Sequence, residues 1–138
     1  MSRFLPAFFL SVAGLLVVTS PALAHHSFSA EYDGRKPIDF SGAVTKVEWM
    51  NPHVYFYVEA KGADGKTTSF AVESGSPNVL RRMRWGKDSI RVGDVITVSG
   101  FRAKNGSNTV NARSILLPDG TSLLAGSSYD LEGTQGSK

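Results

Sequence analysis

Cysteine is absent from all 138 residues. That absence excludes disulfides, thiolate metal sites and thiol nucleophiles, so packing alone must hold the fold. A strong charge of either sign is also missing. The 15 Lys and Arg against 12 Asp and Glu leave a net charge of +3, too mild to point to a nucleic-acid protein. No apolar run reaches the ~20 residues that span a bilayer. Catalytic signatures are lacking as well. Serines are plentiful, but none sits in a Gly-x-Ser-x-Gly elbow. Glu31, Asp33, Glu48, Glu59 and Glu73 show no diagnostic carboxylate pairing. The chain therefore reads as a binding or accessory protein and not as an enzyme.

The N-terminal segment is organised for export. Arg3 supplies a positive start, an apolar run extends from Phe4 to Val18, and Ala22-Leu23-Ala24 has the small-x-small form of a cleavage site. We expect residues 1–24 to be a signal peptide, and the product to be periplasmic or secreted with no stable membrane anchor after cleavage. Arg3 leaves with the signal, so about 114 residues with a net charge of +2 remain, enough for one small domain.

The remaining pattern is mostly strand. Residues 25–36 show no sustained period and read as an N-terminal arm. From Ile38, alternation puts Ile38, Phe40, Gly42 and Val44 on one face. Parity then slips, since Val47 and Trp49 are apolar on the other face, and a bulge near Thr45-Lys46 would reconcile the two halves. Val54, Phe56, Val58 and Ala60 alternate with His53, Tyr55, Tyr57 and Glu59. The turn Gly62-Ala63-Asp64-Gly65 predicts a hairpin to Thr67–Glu73, with Phe70 and Val72 facing inward. Ser76-Pro77 opens a short helix carrying Val79, Leu80 and Met83, which Gly86 is expected to stop. Strands from Val95 to Phe101 and from Thr109 to Leu117 follow, and the Gly/Ser-rich end, 126–138, reads as disordered. Three strands, a helix and two strands is the order of a five-stranded OB-like β-barrel, placed at residues 37–125, with an SH3-like barrel or open α+β roll as the competing architecture.

Three groups of residues are candidates for function. Cleavage after Ala24 would make His25 the amino terminus, where its α-amine and ring Nδ1 can chelate one ion. His26 and His53 would complete a nitrogen-rich set suited to copper, ahead of nickel or zinc. The plain alternative is a solvated arm and a turn histidine. Trp49, Tyr55 and Tyr57 could form an aromatic ligand face for a protein or glycan partner, although tyrosine and tryptophan also favour strands for their own sake. Arg81, Arg82 and Arg84, with Trp85 and Lys87, could meet an anion or a lipid head group, or simply be a solvated helix face. Export argues against nucleic acid as partner; an unidentified protein or envelope assembly remains, in which the chain could also serve as a structural component without a small ligand.

The segments AHHSFSAEYD, VTKVEWMNPHVYFYVE and ESGSPNVLRR, with the Asn-Gly-Ser-Asn loop at 105–108, resemble a family of short exported bacterial proteins of unknown function. The resemblance runs from His25 to about Ser128. It implies export, a compact β domain and no assigned activity, and it transfers no site residues.

Overall fold

The computed structural model describes residues 28–127. The expected signal peptide, His25 and His26, and residues 128–138 of the C-terminal tail lie outside that range. A four-residue helix, α1 (Phe28–Glu31), leads into a long strand, β1 (Tyr32–Glu48). The others are β2 (Tyr55–Lys61), β3 (Thr67–Glu73), α2 (Pro77–Arg82), β4 (Val95–Ala103), β5 (Thr109–Leu116) and β6 (Ser122–Leu124).

A single extra residue shapes β1. Val44 pairs with Val58 and Lys46 with Tyr57, so Thr45 bulges out of the ladder. Inserting one residue exchanges the two faces of a strand. Ile38, Phe40 and Val44 therefore pack inward before the bulge, and Val47 and Trp49 pack against the same core after it. The bulge lies where the slip in alternation predicts it.

The long strand serves both sides of a barrel. Its earlier part pairs with β4, from Pro37↔Phe101 to Ala43↔Val95, and its later part with β2, from Ala43↔Glu59 to Glu48↔Tyr55. At the crossover a side chain would collide with the neighbouring strand: a Cβ on Gly42 would lie 2.3 Å from the Glu59 carbonyl oxygen. β2 pairs with β3, β3 runs parallel to β5, and β5 returns to β4, so five strands close into a ring. With α2 between β3 and β4, this is an OB-like barrel. The three-residue β6, which the alternation does not reveal, adds to β5 outside the ring.

The core fills as the pattern requires. Val54, Phe56, Val58 and Ala60 are buried, with Phe70, Val72, Ile96, Val98, Val110 and Ile115 from the other strands. Leu80 and Trp85 seal the barrel beside α2, and Trp85 stacks on Phe56 with ring centroids 5.9 Å apart. Trp85 also donates from Nε1 to the Leu124 carbonyl at 3.1 Å. It is thus a core residue and not a member of the surface patch suggested by RRMRWGK.

Both ends of α2 have identifiable causes. Ser76 caps the start, its hydroxyl accepting from the Val79 N–H at 3.3 Å, with Pro77 in the first turn. The helix ends before Gly86. Arg84 takes φ 67°, its N–H donates to the Arg81 carbonyl, and the Trp85 N–H donates to the Leu80 carbonyl. These two bonds are a Schellman closure, with buried Leu80 and Trp85 as the accompanying apolar pair.

Residues 28–36, read from the sequence as arm, are seated on the barrel. Phe28, Tyr32 and Phe101 form a second, smaller buried cluster; the Phe28 ring lies 5.8 Å from Tyr32 and 5.3 Å from Phe101. Lys104 fastens the segment twice: its N–H donates to the Glu31 carbonyl at 2.8 Å and its Nζ to the Ser29 carbonyl. Burying each aromatic contributes about 1.5–3 kcal/mol, enough to hold a short segment without regular pairing.

The left-handed conformation at Arg84 costs a side-chain-bearing residue about 1 kcal/mol. Arg84→Gly should therefore stabilise the protein by roughly 0.5–1 kcal/mol despite losing a charge, measured by urea denaturation at constant slope.

Candidate functional site

Strand register brings three polar side chains into one row. Tyr55 of β2 sits opposite Glu73 of β3, and Glu73 opposite Asn111 of β5. Alternation puts this row on the outer face of the barrel, where water would normally reach it. The segment carrying Phe28 and Tyr32 packs nearby, and the Glu73 residue keeps only 4% of its surface exposed.

A carboxylate at that depth is costly unless every lone pair is engaged. Four donors meet it. The Tyr32 and Tyr55 hydroxyls donate to Oε2 at 2.9 and 2.5 Å. Asn111 Nδ2 donates to Oε1 at 3.3 Å, and His53 Nδ1 lies 2.9 Å from the same oxygen. The five residues come from β1, the β1–β2 connection, β2, β3 and β5, so the cluster ties distant parts of the ring together.

Burial alone pushes the Glu73 carboxyl up, but the hydrogen bonds from His53, Tyr55 and Tyr32 outweigh it and hold the group below its ordinary value. The Glu73 hydrogen bond raises His53, against a smaller opposing effect of burial. Burial, and then Glu73 itself, push both tyrosine hydroxyls well up. The cluster is therefore a carboxylate, an imidazolium at mildly acid pH and two neutral phenols.

The other expected site residues fall elsewhere. Tyr57 donates to Glu48 Oε2 at 2.9 Å, with Lys46 Nζ 5.1 Å from its ring centre. Trp49 packs against the main core, away from the outward tyrosines, so Trp49, Tyr55 and Tyr57 do not share one face. Arg81, Arg82 and Arg84 are exposed around the end of α2, and Arg81 Nη1 approaches Asn78 Oδ1 at 3.4 Å. Of the three histidines proposed as ligands, only His53 lies among the described residues. Within those residues, no three His, Asp or Glu side chains are grouped to hold a metal ion. Glu73, Tyr32 and Asn111 are the site residues that sequence reasoning missed. The hairpin register, counted back from Gly62–Gly65, could have paired Tyr55 with Glu73; no local signal marks the other two.

Beside the cluster is a cavity of about 570 Å³, lined by Glu31, Tyr32, Tyr55, Lys104, Asn105 and Thr109, with Ala30 and Ala103 adding methyl groups. The β4–β5 loop forms one wall. In it Asn105 Oδ1 accepts from the Ser107 N–H at 2.9 Å, and Ser107 Oγ donates to Thr109 Oγ1 at 3.1 Å.

The pH dependence follows in sign. His53 is raised above its ordinary 6.5, so its contribution is complete below that value and fades as pH rises through the higher folded value. Glu73 is lowered from 4.5, so its contribution is complete above that value and fades as pH falls through the lower folded one. The pair should stabilise the barrel most between 4.5 and 6.5. In denaturation series across pH, His53→Gln should remove the alkaline decline. Glu73→Ala, which strands four buried or half-buried donors, should cost about 3 kcal/mol or more.

No curated protein matches the chain. Among solved structures, the mitochondrial single-stranded DNA binding protein Rim1 from S. cerevisiae is 12% identical, over 60% of this chain and 93% of its own, with a TM-score of 0.47. A family model described as "Family of unknown function (DUF6152)" matches residues 13–112. The chain belongs to that family.

Proposed function

We propose that the protein is an exported binding protein that captures copper or a similar metal through His53 together with His25 and His26. The observation that carries this reading is the posture of His53. Its Nδ1 faces a buried carboxylate, which leaves Nε2 as the ligating nitrogen on a side chain that is 29% exposed. A carboxylate behind the ring is the usual partner of a metal-bound histidine, because it fixes the tautomer and raises ligand basicity.

The seating of α1 supports the same reading. Tyr32 reaches Glu73, and Phe28 is anchored only four residues earlier. His26 precedes Phe28 by two residues and His25 by three, at most ~3.6 Å of chain per residue. The reading requires both to reach back to His53, and the stretch of chain between them and the Phe28 anchor is short. Cleavage after Ala24 adds the α-amine of His25 as a further nitrogen. Protons compete for each imidazole, so affinity should fall on acidification, all the more because Glu73 raises His53.

The test is a Cu(II) titration of chain beginning at His25. Stoichiometric binding tighter than that of an unstructured His-His peptide is expected. His25→Ala should abolish it, His53→Ala should weaken it at least tenfold, and Glu73→Gln should weaken it about 10–100-fold. Affinity equal to the peptide control, or unchanged by His53→Ala, would end the proposal.

A further inference from the structure

We infer that the cavity beside α1 is a binding site for a short neutral glycan, one or two sugar rings in size, separate from the histidine set. Its volume of about 570 Å³ falls within the range of pockets that take small organic ligands. The wall chemistry narrows the class. One carboxylate (Glu31), one ammonium (Lys104), a carboxamide (Asn105) and a hydroxyl (Thr109) stand beside two phenol rings and two methyl groups. The two charges balance, so the wall has no net pull on an anion or a cation. Donors and acceptors lie side by side, which suits hydroxyl groups because each can give and receive a hydrogen bond.

The aromatic part of the wall is fixed before any ligand arrives. Tyr32 and Tyr55 both spend their hydroxyl protons on Glu73 Oε2, which restrains the rings and lowers the ordering cost of binding. The half-buried Tyr55 ring, backed by the buried Tyr32, sets rigid aromatic surface beside polar groups, which matches the C–H faces and hydroxyl rim of a sugar ring. Lys104 is restrained as well, since its Nζ donates to the Ser29 carbonyl. With that single lining ammonium already engaged, a polyphosphate backbone finds little counter-charge. A zwitterionic amino acid is the nearest competing ligand, set between Glu31 and Lys104.

The aromatic face therefore differs from the one expected in the sequence. Tyr55 carries it, with the buried Tyr32 ring packed behind as support, and the partner groups come from the β4–β5 loop.

The experiment is a titration of the ¹⁵N-labelled processed chain with cellobiose, with N,N′-diacetylchitobiose and, separately, with free glutamine. Saturable amide shifts from at least one disaccharide, clustered at Ala30, Tyr55, Lys104, Asn105 and Thr109, are expected. Ala30 is exposed on α1, so Ala30→Trp can block the cavity without entering the core, and it should weaken binding at least tenfold. Thr109→Val, which removes one hydroxyl, should weaken it severalfold. Failure of both disaccharides to give saturable shifts overturns the inference. So does binding that survives Ala30→Trp, or saturation by glutamine alone.

Discussion

The buried carboxylate of Glu73 is the interaction on which the outer half of this structure depends. A charge at that depth would be expelled or neutralised if it stood alone. Here two phenols, an amide and an imidazole surround it, drawn from three separate stretches of chain. The arrangement makes the position of every partner conditional on the others. Loss of one donor leaves a charge underserved, and loss of the carboxylate leaves the donors without a common acceptor.

That mutual dependence explains why the N-terminal segment is part of the domain. Tyr32 contributes a ring to the cluster with Phe28 and Phe101 and a hydroxyl to Glu73. Apolar burial supplies most of the holding energy, and the hydrogen bond supplies direction. Lys104 completes the attachment from the β4–β5 loop. One small patch thus links the start of the domain, the ring closure between β3 and β5, and the only described histidine. Function placed there would draw on a rigid platform, although α1 itself is a single turn.

Much of the barrel was legible because its information is local. Alternation identified the inward residues of β2, the slip at Thr45 announced the bulge, and Ser76-Pro77 announced α2. The helix end was misread because a Schellman closure can form around Arg84 when Leu80 and Trp85 supply the apolar contact, and glycine is only the cheaper occupant. Residues 28–36 lacked a period because they dock through two aromatics rather than a continuous ladder. The Glu73 cluster was hidden for a different reason. Tyr32 and Glu73 are 41 positions apart, and Asn111 reaches Glu73 only through the parallel pairing of β3 with β5. No pattern within one strand reports such a meeting. Trp49 illustrates the converse: its type suggested a ligand surface, while the parity change at the bulge turned it to the core.

The closed ring has a further effect on how the molecule behaves among its own copies. Each of the five ring strands has a neighbour on both sides, whereas β6 has one. Unpaired backbone along a strand is what recruits foreign strands into aggregates. The margin left open by β6 is only three residues long, too little to template a stable intermolecular sheet. Closure thus confines the open edge to β6 and to stretches such as residues 67–70 of β3, which pairs with β5 only over residues 71–73.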